Sequence, residues 1–234
     1  MARKSKRAAR RSSASPPPSR GSSDRDKAVD ALMTLLADHS FEEIGLAEVA
    51  DKAGIKLSQL RAEFGSVLAI YAQHVKDIDR IVLSGGDEDM ADEPPRERVF
   101  DVLMRRLEAM APYREAVRSM IVSARRSPGL AFALNAMAVR SQTWMLEAAG
   151  ISTAGPRGAL RAQGSAVLFA RVLSVWVDEQ DENLDRSMAA LDRGLVAAER
   201  WAGFLGDLCA IPSFILRGPR RRRRGHHDEE PEAA

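Results

Sequence analysis

The segment AGIKLSQLRAEF, residues 53–64, sets four hydrogen-bonding side chains, Lys56, Ser58, Gln59 and Arg61, among the apolar residues Ile55, Leu60 and Phe64. Arginine and glutamine can pair bidentately with guanine and adenine edges, while lysine and serine can hold phosphate oxygens. Four such residues within six positions are suited to reading a nucleic acid from one short helix. The same side chains would also serve as an ordinary solvated face, so spacing alone leaves both readings open.

Other chemistry finds little footing. His39 and His74 are the only histidines before residue 226, they are far apart in sequence, and no paired-carboxylate motif lies near either. No glycine loop suited to cradling phosphate occurs, and Cys209 lacks a local nucleophile signature. As the single cysteine, it also excludes an intrachain disulfide framework or a cysteine-rich zinc site. His226 and His227 with the acids after them could hold a divalent cation weakly, but a charged tail accounts for them equally well. We therefore expect no enzyme activity, no cofactor and no metal centre.

The elements that would carry residues 56–61 are helices. Ser23 with Asp26 forms a capping-box pattern, and Ala28, Val29, Leu32, Leu35 and Leu36 follow on one face of a helix over 24–38. SFEEIG connects it to a helix over 46–53, which Gly54 ends. A third helix runs over 57–63. Ser66 caps a longer one to about 84, closed by Gly85–Gly86. After the acidic loop GGDEDMADEPP, Pro95, Pro112 and Pro128 stand where helix starts tolerate proline. Helices are expected near 95–110, 113–126, 128–148, 156–179 and 183–206. No β-hairpin dipeptide flanked by alternating apolar residues occurs.

The order of these elements, together with Phe41, Val49, Ala50, Ala53, Gly54, Ile55, Leu60, Phe64, Gly65 and Ser66, resembles the TetR family of bacterial regulators. Its pattern runs aromatic, I-A, A-G-V, L and then F-G-S. Nearly all the matched residues are packing positions. At the contact positions the sequence departs from the family. Arg61 stands where an aromatic is usual, Val67 where a lysine is usual, and Gly45 and Lys56 where Ser or Thr caps are expected.

The resemblance implies an all-α, TetR-like fold, with a three-helix helix-turn-helix head and a larger helical dimerisation and ligand domain. It also implies a homodimer that binds double-stranded DNA, as a repressor, through Lys56, Ser58, Gln59 and Arg61. The organisation expected is a disordered basic arm at 1–22, the head with its connecting helix at 23–84, an effector-binding and dimerisation domain at 95–208, and a disordered tail at 209–234. Met104, Met120, Phe132, Met137 and Trp144 suit either plain core packing or an adaptable apolar pocket. The resemblance implies that such a pocket takes a small-molecule effector.

Charge is distributed unevenly. Residues 1–22 carry +7, residues 217–234 carry +2, and the body between them carries −7. Residues 24–80 hold seven basic and eleven acidic side chains, so the head alone would repel a duplex and need the basic arm. The end, FLGDLCAIPSFILRGPRRRRRG, joins an apolar stretch to an arginine cluster, a combination suited to weak contact with anionic membrane. It is similar to a TetR-fold group of lipid-binding accessory proteins of ubiquinone biosynthesis, which gives the alternative of a non-regulatory lipid or isoprenoid binder. With no apolar signal core and no span of membrane length, a cytoplasmic location is expected.

Overall fold

The computed structural model describes residues 23–86, 90, 92–181 and 183–215, with side chains described up to residue 200. The basic arm at 1–22, the Arg-rich tail at 216–234 and the Cys209, His226 and His227 side chains lie outside the described residues. The described chain is helical, without a strand. Its helices are α1 (Asp24–Asp38), α2 (Leu46–Ala53), α3 (Leu57–Glu63), α4 (Val67–Ser84), α5 (Pro95–Met110), α6 (Arg114–Arg126), α7 (Pro128–Ala148), α8 (Gly155–Trp176) and α9 (Asp185–Ile215). They form two compact units. Among the described residues, one holds 23–78 and the segment Ala111–Ala133; the other holds Asp79–Met110 and 134–215.

In the first unit, α1 is the central element. Its start is fixed by the reciprocal box read from the sequence: Ser23 Oγ accepts the Asp26 N–H at 3.2 Å, and the Asp26 carboxylate accepts the Ser23 N–H at 3.1 Å. Leu32 and Leu36 are completely buried, with Ala28 and Val29 beside them, so the face predicted by spacing is the one that packs. A second box, at Ser40, turns the chain out of α1. The Ser40 N–H and hydroxyl both donate to Glu43, and these bonds hold its carboxyl below the ordinary value. Ser66 Oγ accepts the Ala69 N–H at 3.1 Å and starts α4.

The segment Ala111–Ala133 completes this unit. Ser123 Oγ accepts the Phe41 N–H at 3.1 Å, and Ser119 Oγ donates to the His39 carbonyl at 2.8 Å. Two α6 serines thus satisfy backbone groups at the exit from α1, where helix ends leave polar groups unpaired. Buried His74 meets the Tyr113 ring edge-on at 4.5 Å.

The second unit is built on α5, α8 and α9, with Leu103, Leu107, Phe169, Val172, Trp176 and Leu191 at its centre. Helices α8 and α9 approach closely at Gly194, where a Cβ would lie 3.0 Å from the Leu168 side chain. Polar groups are paired across this interior. Arg106 donates to Asp79, Ser141 Oγ donates to the same carboxylate at 2.7 Å, and Arg106 lies over the Phe169 ring at 5.6 Å. Asn135 and Gln163 exchange amide hydrogen bonds at 3.2 and 3.0 Å.

Three helix boundaries differ from the sequence expectation by two residues or more. Helix α8 stops at Trp176 and α9 starts at Asp185, because buried Glu179 accepts the Arg186 and Ser187 N–H groups at 2.6 and 3.1 Å and so fixes the first turn of α9. At its other end α9 continues through Gly206 to Ile215. A glycine inside a helix costs only about 0.5–1 kcal/mol, and the run Leu208–Ile211 after it contains good helix formers.

Candidate nucleic-acid interface

Helices α2 and α3 are joined by a turn that only glycine makes cheaply. Gly54 has φ 66° and ψ 31°, its N–H returns to the last turn of α2, and the Ile55 N–H reaches the Ala50 carbonyl at 3.1 Å. Val49, Ala50, Leu60 and Phe64 are buried against α1, and this packing fixes the angle at which α3 leaves the unit. The Arg25 guanidinium covers Phe64 at 5.4 Å.

Lys56, Ser58, Gln59 and Arg61 are all exposed on α3 or at its start. They are not equivalent. At about 100° per residue, Leu60 marks the buried side and Ser58 and Ala62 stand opposite it. Leu57 and Arg61 lie on one flank, Gln59 and Glu63 on the other. Leu57 is 53% exposed, an apolar side chain in solvent at the first turn of α3. Arg61 has no ion pair or hydrogen bond among the described residues.

Gln59, in contrast, is fully engaged. Its Oε1 accepts the Lys56 N–H at 2.9 Å, and its Nε2 donates to the Asp24 carboxylate at 2.7 Å. Glu63 faces Arg25 at 3.8 Å, and Arg25 also donates to Gln73 at 2.9 Å. Sequence reasoning missed Leu57, Asp24, Arg25 and Glu63. A helical projection would not have found Leu57, because three residues before Leu60 it lies only about 60° from the buried side, and its exposure comes from how α3 packs. The other three make contacts between helices, which spacing does not encode.

Acids gather on the other side of α1. Burial, Asp26 and Asp77 raise the Asp30 carboxyl, and burial with Asp30 and Asp77 raises the Tyr113 phenol. Asp30, Met33, Thr34, Tyr113 and Glu115 line an open cleft of about 490 Å³ there.

The expected effector residues divide between the two units. Met120 is buried in the first, and Phe132 in the same unit is 77% exposed. Met104 and Met137 are half-buried in the second, where Trp144 is 56% exposed. Among the described residues no cluster of His, Cys, Asp and Glu could hold a metal ion, and no helix is long and apolar enough to cross a membrane.

No family model matches the chain, and no curated protein does. Solved structures do. A TetR transcriptional regulator from Nitrosomonas europaea ATCC 19718 superposes with a TM-score of 0.60 at 23% identity, covering 76% of this chain and 99% of its own. A putative TetR-family regulator from Rhodococcus sp. gives 0.55 at 17% identity, covering 75% and 98%. Another TetR regulator, from Rhodococcus sp. RHA1, gives 0.52 at 18%, covering 74% and 94%.

The chain has the TetR fold. The all-α architecture read from the residues around Gly54 is therefore correct. Within the TetR fold of this chain, α2 and α3 form the helix-turn-helix, with Gly54 as its turn.

Proposed function

We propose that the protein is a homodimeric transcriptional regulator that binds double-stranded DNA through α3 and acts as a repressor relieved by a small apolar effector. The observation that carries this reading is the Gly54 turn, which presents an exposed and unpaired Arg61 on the outer side of a tightly packed three-helix head. Arg61 can reach a guanine edge, while Lys56 and Ser58 can hold flanking phosphates. The head is net acidic, so the +7 arm supplies the general attraction to the duplex and α3 supplies the choice of site.

Dimer formation is supported by α8. Leu160, Gly164 and Val167 follow at helical spacing on its exposed side, and Leu160 and Val167 are 57% and 42% exposed. A self-complementary stripe of this kind is suited to an isologous contact. The half-buried Met104 and Met137 of the second unit are the adaptable apolar residues available to an effector.

Selection from a random duplex pool with the full-length protein tests the reading. Recovery of a two-fold symmetric site, bound by two chains, is the expected result. A pool that stays random after repeated rounds would overturn it. A screen of fatty acids, isoprenoids and aromatic compounds for a raised melting temperature tests the effector separately.

A further inference from the structure

The two flanks of α3 differ in what they touch. On one flank, Gln59 has both ends of its amide occupied, by the Lys56 N–H and by Asp24, and Glu63 faces Arg25. Asp24 and Arg25 are the first two residues of α1, so this flank is fastened to α1 at two points one turn apart. For Gln59 to read an adenine, its amide would have to turn away from these two partners or share its oxygen and NH2 group with them. The Asp24 and Glu63 carboxylates would also be driven toward phosphates.

On the other flank nothing is fastened. Leu57 and Arg61, four residues apart, share that side of the helix, both are exposed, and Arg61 makes no internal bond. An isolated apolar side chain next to a free guanidinium matches the major-groove edge of thymine beside guanine. The C5-methyl is the only apolar group exposed there, and guanine O6 and N7 accept a bidentate arginine.

We propose that Gln59 and Glu63 form a clasp that positions α3 on α1, and that base reading belongs to the opposite flank. There Leu57 meets a thymine methyl and Arg61 a guanine. This rests on the DNA-binding reading above and changes its residue assignment: Gln59 becomes a positioning residue and Leu57 a specificity-determining one.

The test uses the full-length protein and a duplex selected by it. Replacing thymines one at a time by deoxyuridine should weaken binding about fourfold at one or two positions, the equivalent of about 0.8 kcal/mol for one apolar carbon. That sensitivity should vanish in Leu57→Ala. Replacing one guanine by 7-deazaguanine should weaken binding at least about fivefold, and Arg61→Ala should abolish the difference. Gln59→Ala and Asp24→Ala should each lower the melting temperature and weaken binding to every duplex by the same factor. The double variant should melt no lower than the worse single one.

Gln59→Ala relaxing the preference at a single adenine, with an unchanged melting temperature, would overturn the assignment. So would a wild-type protein indifferent to every deoxyuridine substitution. If no duplex is selected at all, the regulator reading fails and the base assignment fails with it. The clasp is then judged by melting alone, where simply additive losses from Asp24→Ala and Gln59→Ala would refute it.

Discussion

Substituting Gly54 by alanine isolates the backbone contribution of the helix-turn-helix. Gly54 sits at φ 66°, in the left-handed region, yet a Cβ built there meets no heavy atom within 4 Å. No tertiary clash contributes, so the loss should equal the intrinsic left-handed penalty of an L-residue, about 1–2 kcal/mol. For a chain of this size that is a fall in melting temperature of about 2–8 °C. Gly54→Asn should cost only a few tenths of a kcal/mol, because asparagine tolerates this conformation. Gly129→Ala provides a control of opposite sign. Gly129 lies in the first turn of α7 with open space around it and no positive φ, and alanine there should stabilise by about 0.5 kcal/mol. Thermal and urea unfolding followed by circular dichroism would measure all three. If Gly54→Ala matched the wild type, or if asparagine were as costly as alanine, the left-handed turn would not be what joins α2 to α3.

Three further outcomes follow from other parts of the structure. Val167→Glu, on the exposed side of α8, should convert a dimer of the 25.6 kDa chain to a monomer in micromolar sedimentation, and an intact dimer would exclude that face. Arg106→Met should cost about 3–5 kcal/mol by leaving buried Asp79 unpaired, while Asp79→Leu with Arg106→Met should recover much of the loss; equal losses in both variants would refute this. The folded-state pKa of Asp30 is raised, so the native state favours its protonated form. Its ionised carboxylate therefore weighs against folding increasingly as the pH rises from 3.8, and fully once the pH passes that raised value. Asp30→Asn should stabilise the protein at neutral pH and lose its advantage as pH falls below the unfolded value of 3.8; an advantage that grows on acidification would contradict the sign.

Most of the fold was legible because its signals are local. Ser23 with Asp26, Ser66, Gly54 and the apolar spacing of Ala28–Leu36 act within a few residues, and each does in the structure what its pattern predicts. What was not legible depends on contacts between elements. The pairing of Phe41 and His39 with Ser123 and Ser119, which ties α6 to the end of α1, spans about 80 residues and leaves no periodic trace. Gln59 looked like a free amide because nothing in KLSQLR reveals that Asp24, 35 residues earlier, accepts from it. Phe132 and Trp144 looked suited to an apolar interior by residue type. Spacing along α7 does not say which of its faces is covered, and both turn out to be exposed.

The most direct test of the account is the ratio of affinities for a selected and a random duplex, measured at two salt concentrations for the wild type and Arg61→Ala. The account predicts a wild-type ratio of at least about 10³. Arg61→Ala should lower that ratio by about 5- to 150-fold, with a nearly unchanged salt slope. A ratio near one for both proteins, with affinity that falls steeply with salt, would mean that the basic arm alone adheres to polyanion. The helix-turn-helix would then be a retained shape without a reading function.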